Sequence, residues 1–425
     1  MFRKRNRALC LTIAFVVLTC FAVVQNVGAA PNFTEPPKII GVVEPRSGVY
    51  AEVGEYGARG AQLAVDQYNA KGGVLGSELK LIVEDTQSVP NVGAQKARKL
   101  ITEKNAVMLV GEVSSAVAAV MANVCQELNT IYMASGPNGN NIRMDDNKRV
   151  MFITDCSNWQ AGNAMVDYLL KTEGKRWYFI TADYTWGRTA YETASKLLKK
   201  NGGIEVGNDF SPFGTSDFSS YLLKIKQAKP DVVYLSIGGT DGINFQKQFA
   251  QFGMKGTMTV SGAIINDSDA WTLGEGVMDG VWPHVWSYNV NTPGSKAFTA
   301  QFREKFGKYP ENESWQDYIS VVAYLEAVKK AKTWDTEAVI KVLEDPSFKF
   351  DGLKERDVYY RLRDHQLQQE VYIVKTREGK WPDPQDWCTI VATYPGKDES
   401  LESIDSTMEE NPTILQRKFP LKSDK

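Results

Sequence analysis

Reactive side chains are scarce in this 425-residue sequence. It holds two histidines, His284 and His365, far apart along the chain. Neither has a Cys, His or carboxylate neighbour at metal-ligand spacing. No H-E-x-x-H, paired C-x-x-C, phosphate-cradling glycine loop or G-x-S-x-G nucleophile turn occurs. His284 lies between Trp282 and Trp286 with no triad or metal partner nearby, and reads as structural. These observations predict a protein that is not an enzyme, with no catalytic residue, metal or cofactor. What remains is a set of small polar and aromatic segments, each following an apolar run. They are Arg46-Ser47-Gly48-Val49-Tyr50, Ser114-Ser115-Ala116, Gly136-Pro137-Asn138, Ala182-Asp183-Tyr184 and Gly238-Gly239-Thr240-Asp241. Ser114 and Ser115 open a helix. A serine there caps the helix; the same place offers a hydroxyl, free N–H groups and the positive dipole end to a carboxylate. Gly136-Pro137-Asn138 either adds donors beside it or is a simple turn.

The elements that position these segments alternate regularly. Short apolar runs at residues 39–43, 79–84, 106–110 and 130–134 read as strands. Helical patterns at 56–69, 92–104 and 114–128 separate them. Continuous apolar strands in βαβα order imply a parallel sheet covered by helices on both faces. The order repeats after residue 177: strands at 177–181 and 231–236, helices at 189–201, 218–227 and 242–252. From residue 281 the texture changes. A Pro-interrupted extended stretch at 281–286 leads to helices at 294–306, 315–332 and 336–344, then β-rich runs at 358–362 and 370–375. The tail from Pro395 is polar and acidic, and either wraps the surface or is weakly ordered. In open α/β sheets ligands bind at the carboxyl ends of the strands, which is where all the singled-out segments fall.

The N-terminus sets the compartment. Arg3, Lys4, Arg5 and Arg7 precede an apolar run from Ala8 to Val24, then small residues to Ala30, the order of a secretory signal peptide cleaved after Ala29 or Ala30. Losing those four basic residues takes the formal charge from −2 to −6, which argues against a nucleic-acid partner. Cys125, Cys156 and Cys388 remain. They are too few for a disulfide framework, and whether Cys125 pairs with Cys156 stays open. The expected mature protein is soluble, periplasmic and monomeric.

Taken together in order and spacing, several segments resemble the periplasmic branched-chain amino-acid-binding proteins, leucine-binding-protein-like members of the type I solute-binding class. The segments are residues 39–54, Ser114-Ser115, Ala182-Asp183-Tyr184 with Gly187, Gly202-Gly203, residues 214–218 and Gly238-Gly239. The resemblance spans about residues 37–395 and implies two Rossmann-like lobes joined by a three-crossover hinge. Lobe one would comprise residues 37–154 plus 284–348, lobe two 157–281 plus 351–393, with 394–425 as a polar tail. It implies a small-molecule ligand held between the lobes and cognate ABC permease subunits as partners. An extracytoplasmic sensor and an amide- or urea-binding member are the alternatives. Carried over by position, Ser114 would hold a ligand carboxylate with Ser115, Ala116, Gly136, Pro137 and Asn138 around it. Tyr184 would close from lobe two, and Tyr50, Thr240 and Trp315 would line the pocket, with Trp286 as further aromatic surface and Asp241 as an acid near the cleft. Amino-acid binders place an acid where this sequence has Gly262-Ala263-Ile264-Ile265. The expectation is therefore a small carboxylate, aromatic or aliphatic, without an α-ammonium. Asp241, Asp267 and Asp269 are the residues able to reverse it, since a buried ammonium needs a partner.

Overall fold

The computed structural model describes residues 32–408; the signal-like segment and the end of the tail lie outside the described residues. The first sheet is built from β1 (Glu35–Glu44), β2 (Ser77–Asp85), β3 (Ala106–Gly111), β4 (Ile131–Ala134) and β5 (Met151–Ile153). Its order is β2-β1-β3-β4-β5 and every pairing is parallel. The helices between its strands are α1 (Ala51–Ala70), α2 (Pro90–Thr102) and α3 (Ser115–Glu127). β4 is buried throughout and β3 nearly so, as expected of strands covered on both faces.

The chain then enters α4 (Asn158–Thr172) and builds a second sheet. Its parallel part consists of β6 (Arg176–Ala182), β7 (Ile204–Ser211), β8 (Val232–Ser236), β9 (Thr259–Gly262) and β10 (Val281–His284). Between them lie α5 (Thr185–Lys200), α6 (Ser219–Ala228), α7 (Gly239–Gln251) and α8 (Asp267–Leu273). Next come α9 (Pro293–Phe306), α10 (Asn312–Ala331) and α11 (Thr336–Leu343). α10 returns to the first sheet: a Cβ on Gly60 of α1 would sit 1.9 Å from the Ser314 carbonyl, so only glycine permits this approach. Two short strands, β11 (Tyr359–Tyr360) and β12 (Leu367–Gln368), pair antiparallel. Finally β13 (Val371–Thr376) and β14 (Cys388–Tyr394) join the second sheet antiparallel, giving the order β14-β13-β10-β9-β8-β6-β7. The result is a two-lobe α/β fold with mostly parallel sheets.

Several elements depart from the sequence expectation for local reasons. α1 starts at Ala51, not 56, because Val53 and Gly54 are already buried, Gly54 against the Pro45 carbonyl. α4 was not anticipated; a capping box between Ser157 and Gln160 starts it. β7 was also unread, because this edge strand is mostly half-buried and carries Glu205, Asn208 and Asp209. The described part of the tail wraps the body: Leu401 and Ile404 are buried, and Asp405 meets Arg361. Cys125, Cys156 and Cys388 are all free and buried, so the Cys125–Cys156 pairing does not form.

Candidate functional site

The carboxyl ends of the two sheets meet through specific contacts. From the loop after β1, the Tyr50 hydroxyl lies 2.7 Å from that of Tyr184, which precedes α5. Thr240, in the first turn of α7, donates its N–H and its hydroxyl to the Val49 carbonyl, each at 3.3 Å. Phe213 packs on both tyrosines, with ring centroids 6.0 Å from Tyr50 and 5.4 Å from Tyr184. Gly239 sits at φ +57, and a Cβ there would press on the Val49 carbonyl and the Tyr50 ring.

The other sequence-predicted residues divide by what they already bond. Ser114 takes the N-cap position of α3, but its side chain makes no capping bond. Its N–H donates to Glu112 Oε1 at 2.7 Å. The Ser115 hydroxyl accepts from the Gly139 N–H, and Ala116 is half-buried behind it. The Asn138 amide is committed to Asp155 and to the Cys156 carbonyl. Arg143, fully buried, donates to the carbonyls of Pro137, Gly139 and Asp155 and so fixes the Gly136–Pro137–Asn138 turn. Ala263 is tied into the sheet by its N–H to Leu235. Ile264 is half-buried and, with Gly238, Gln246 and Asp269, lines a void of about 10 Å³.

Four of the expected residues already have partners or packing of their own. Trp286 and Trp315 are wholly buried, and the Trp286 indole N–H has no hydrogen-bond partner. Trp286 meets Phe298 edge-on, and Trp315 donates to the Gly352 carbonyl beneath the Lys354 ammonium. Asp241 accepts from the Gly214 and Thr215 N–H groups, so it caps a loop. Asp267 accepts from the Trp387 indole and the Asn312 N–H, and faces His284 at 4.0 Å. Asp269 is different. Burial raises its carboxyl to about 7, and its described contacts are Asn266 and the Gly239 N–H, not a cation.

The residues that sequence reasoning missed are acids. β1 ends on Glu44, and Glu112 follows β3 directly with φ +80. Glu44 Oε1 accepts the Glu112 N–H at 2.8 Å. Glu313 and Asp317, one turn apart on α10, complete a wholly buried cluster with Glu44. Burial, then mutual repulsion, pushes the Glu44 and Glu313 carboxyls well up; burial raises Glu112 and Asp317 to about 7. A signal was present: both apolar strand runs, Gly41-Val42-Val43 and Val110-Gly111, stop on a glutamate at the ligand-binding edge. A surface groove of about 1020 Å³ lies elsewhere, where β8, β9 and β10 begin. Charges of both signs line it, and none of the residues above does.

Comparisons with known proteins agree with this architecture. A family model described as periplasmic binding protein matches residues 39–380. A Leu/Ile/Val-binding protein homolog of Brucella suis is 27% identical over 332 residues, covering 74% of this chain and 82% of its own length. A periplasmic binding protein from Burkholderia mallei superposes with a TM-score of 0.78 at 27% identity, over 87% of this chain and 99% of that one. A Rhodopseudomonas palustris solute-binding protein in complex with 4-hydroxybenzoate shares the fold at a TM-score of 0.77 and 18% identity, over 85% and 97%.

Proposed function

The chain belongs to the branched-chain amino-acid-binding family of periplasmic binding proteins, and from that premise we propose that it captures a small amino-acid-like solute between its lobes and delivers it to the permease subunits of an ABC importer. The family consists of exported solute-binding proteins, not enzymes. The observation that carries the reading is the Tyr50–Tyr184 contact, where loops from the two sheets meet at their strands' carboxyl ends. A solute bridging those loops stabilises the closed arrangement by touching both sides. We assign residues 37–154 and 284–348 to one lobe, 157–281 and 351–393 to the other, with crossovers near Cys156, 282–286 and Phe350.

The ligand's charge follows from the same surroundings. Burial and then Asp241 disfavour ionisation of Tyr50, and two further acids, Asp269 and Glu112, add to this. Neither forms an ion pair among the described residues. A ligand ammonium would supply the missing counter-charge, while a carboxylate alone would add repulsion. This reverses the preference suggested by Ala263-Ile264, and the Leu/Ile/Val-binding relative supports it. The Ser114 hydroxyl, free of capping duty, remains for the ligand carboxylate. The test is a thermal-shift screen of amino acids, benzoates, short aliphatic acids and amides, followed by calorimetry on hits. An α-amino acid should raise the melting temperature as its concentration passes its Kd. Binding of simple acids with no response to any amino acid would overturn the ligand class. A chain that binds solute but co-purifies with a signalling partner instead of a permease would point to the sensor role.

A further inference from the structure

Beneath the lobe-one end of the cleft, Glu44, Glu313 and Asp317 each present a carboxylate oxygen, all within 4.8 Å of one another. All three residues are fully or almost fully buried, and Glu112 adjoins Glu44 through a backbone hydrogen bond. Four oxygens of the three residues have no hydrogen-bond partner: Glu44 Oε2, Glu313 Oε1 and both of Asp317. A second observation is separate from the acids. The Ser135 hydroxyl, on the turn after β4, is fully buried, faces Asp317, and has no hydrogen-bond partner of good geometry. Glycines keep the space open around the set. A Cβ at Gly136 would fall 2.4 Å from Glu313 Oε1, and one at Gly57 would fall 3.0 Å from Asp317 Oδ2. Buried acceptors are ordinarily satisfied, and several unsatisfied ones facing one point call for an ion.

We infer that Glu44, Glu313 and Asp317, together with the Ser135 hydroxyl, form a binding site for a hard divalent cation of the calcium class. The donors are all oxygen, which suits calcium, magnesium or manganese and disfavours metals that seek nitrogen or sulfur. Calcium fits best because it accepts six to eight oxygens in irregular arrangements, whereas magnesium gives up its waters reluctantly. The site joins segments distant in sequence: the end of β1, the turn after β4 and the first half of α10. Its occupation would lock α10 to the first sheet. The inference does not depend on which solute the cleft takes.

The test uses purified protein with no organic solute present. The protein is stripped with chelator, dialysed, and titrated with calcium, magnesium and zinc chlorides by calorimetry and thermal shift. Metal content after dialysis is read by mass spectrometry. One calcium per chain is expected, with magnesium at least tenfold weaker and a melting temperature that rises with calcium and falls with chelator. Asp317→Asn and Glu313→Gln should each weaken calcium binding at least tenfold. Ser135→Ala, the mildest change, should weaken it severalfold and serves if the others fail to fold. Folded protein that retains no calcium and whose melting temperature ignores it would overturn the inference. So would wild-type calcium affinity in Asp317→Asn. Solute screening is read separately, so failure here leaves the transport reading standing.

Discussion

Two regions of the molecule bury charge in opposite ways. Around Arg361 and Arg149 the buried cations have their anions. Arg361 donates to both Asp364 oxygens, at 3.0 and 2.7 Å, and to Asp405 at 2.8 Å. Arg149 reaches Glu344 at 2.6 Å and Glu337 at 3.0 Å, and His365 shares Glu344. In the cleft and its floor, Glu44, Glu112, Asp269, Glu313 and Asp317 are equally buried but form no ion pair among the described residues. The first arrangement is closed on itself and needs nothing more. The second is an unfinished charge balance, which points outside the protein for its counter-ions. Paired burial is thus a mark of structure, and unpaired burial at a strand-end cleft a mark of binding.

Breaking a complete set should have the largest effect. Arg361→Ala leaves the carboxylates of Asp364 and Asp405 in the interior without their cation. Loss of one member of a buried ion pair costs about 3–5 kcal/mol. Urea unfolding should show that loss with solute affinity nearly unchanged. A change below about 1 kcal/mol would mean the arginine is dispensable and the contrast false.

Removing an unpaired charge should do the reverse, and only in a defined pH range. Asp269 faces Glu52, the Asn266 side chain and the Gly239 N–H. Burial raises its carboxyl to about 7 from an ordinary 3.8. A carboxyl raised on folding adds stability that is full below its unfolded pKa and disappears as pH climbs through the folded one. The solute-free protein should therefore weaken between about pH 4 and pH 7, with Asp269 contributing on the order of 4 kcal/mol. Asp269→Asn should flatten that slope in melts across the range. A slope unaltered by the substitution would show that the carboxylate already has a counter-charge.

How much of this was legible in the sequence depends on what each residue answers to. The strand–helix alternation was readable because continuous apolar runs such as Val107-Met108-Leu109-Val110 can only be buried strands or helix cores, and their length decides. The family resemblance rested on turns whose glycines the chain geometry needs, such as Gly239. The edge strand β7 escaped because its burial is partial. Glu313 and Asp317 escaped for another reason. They lie about 270 residues from Glu44 in sequence, and on a helix a Glu and an Asp four apart look like solvated surface. Only the return of α10 onto α1 buries them. Trp286 and Trp315 are ambiguous for another reason, because large aromatics suit a pocket and a core equally well.

On the cleft side, Ser114→Ala should separate binding from stability. Its hydroxyl does not cap α3, so folding loses little. If that hydroxyl holds the solute carboxylate, affinity should fall by about 1.5–3 kcal/mol, the worth of a hydrogen bond to a charged group. Calorimetry with the best hit from the solute screen measures it. An unchanged Kd would move the carboxylate away from the α3 N-terminus.

The smallest expected effect is the most specific to closure. Tyr184→Phe removes one hydroxyl from the 2.7 Å contact with Tyr50 and leaves the ring against Phe213. Packing is preserved, so the unfolding midpoint should hardly move. Closing then forms one neutral hydrogen bond fewer, worth about 0.5–1.5 kcal/mol, and solute affinity should drop by about threefold to tenfold. Because closure follows encounter, the drop should appear in the dissociation rate, with the association rate nearly constant. Tyr50→Phe should give a similar drop, and the double variant should lose little more than either alone, since both remove the same bond. Additive losses would mean that each hydroxyl bonds the solute independently. The tyrosines would then be ligand contacts in their own right instead of a latch between the lobes.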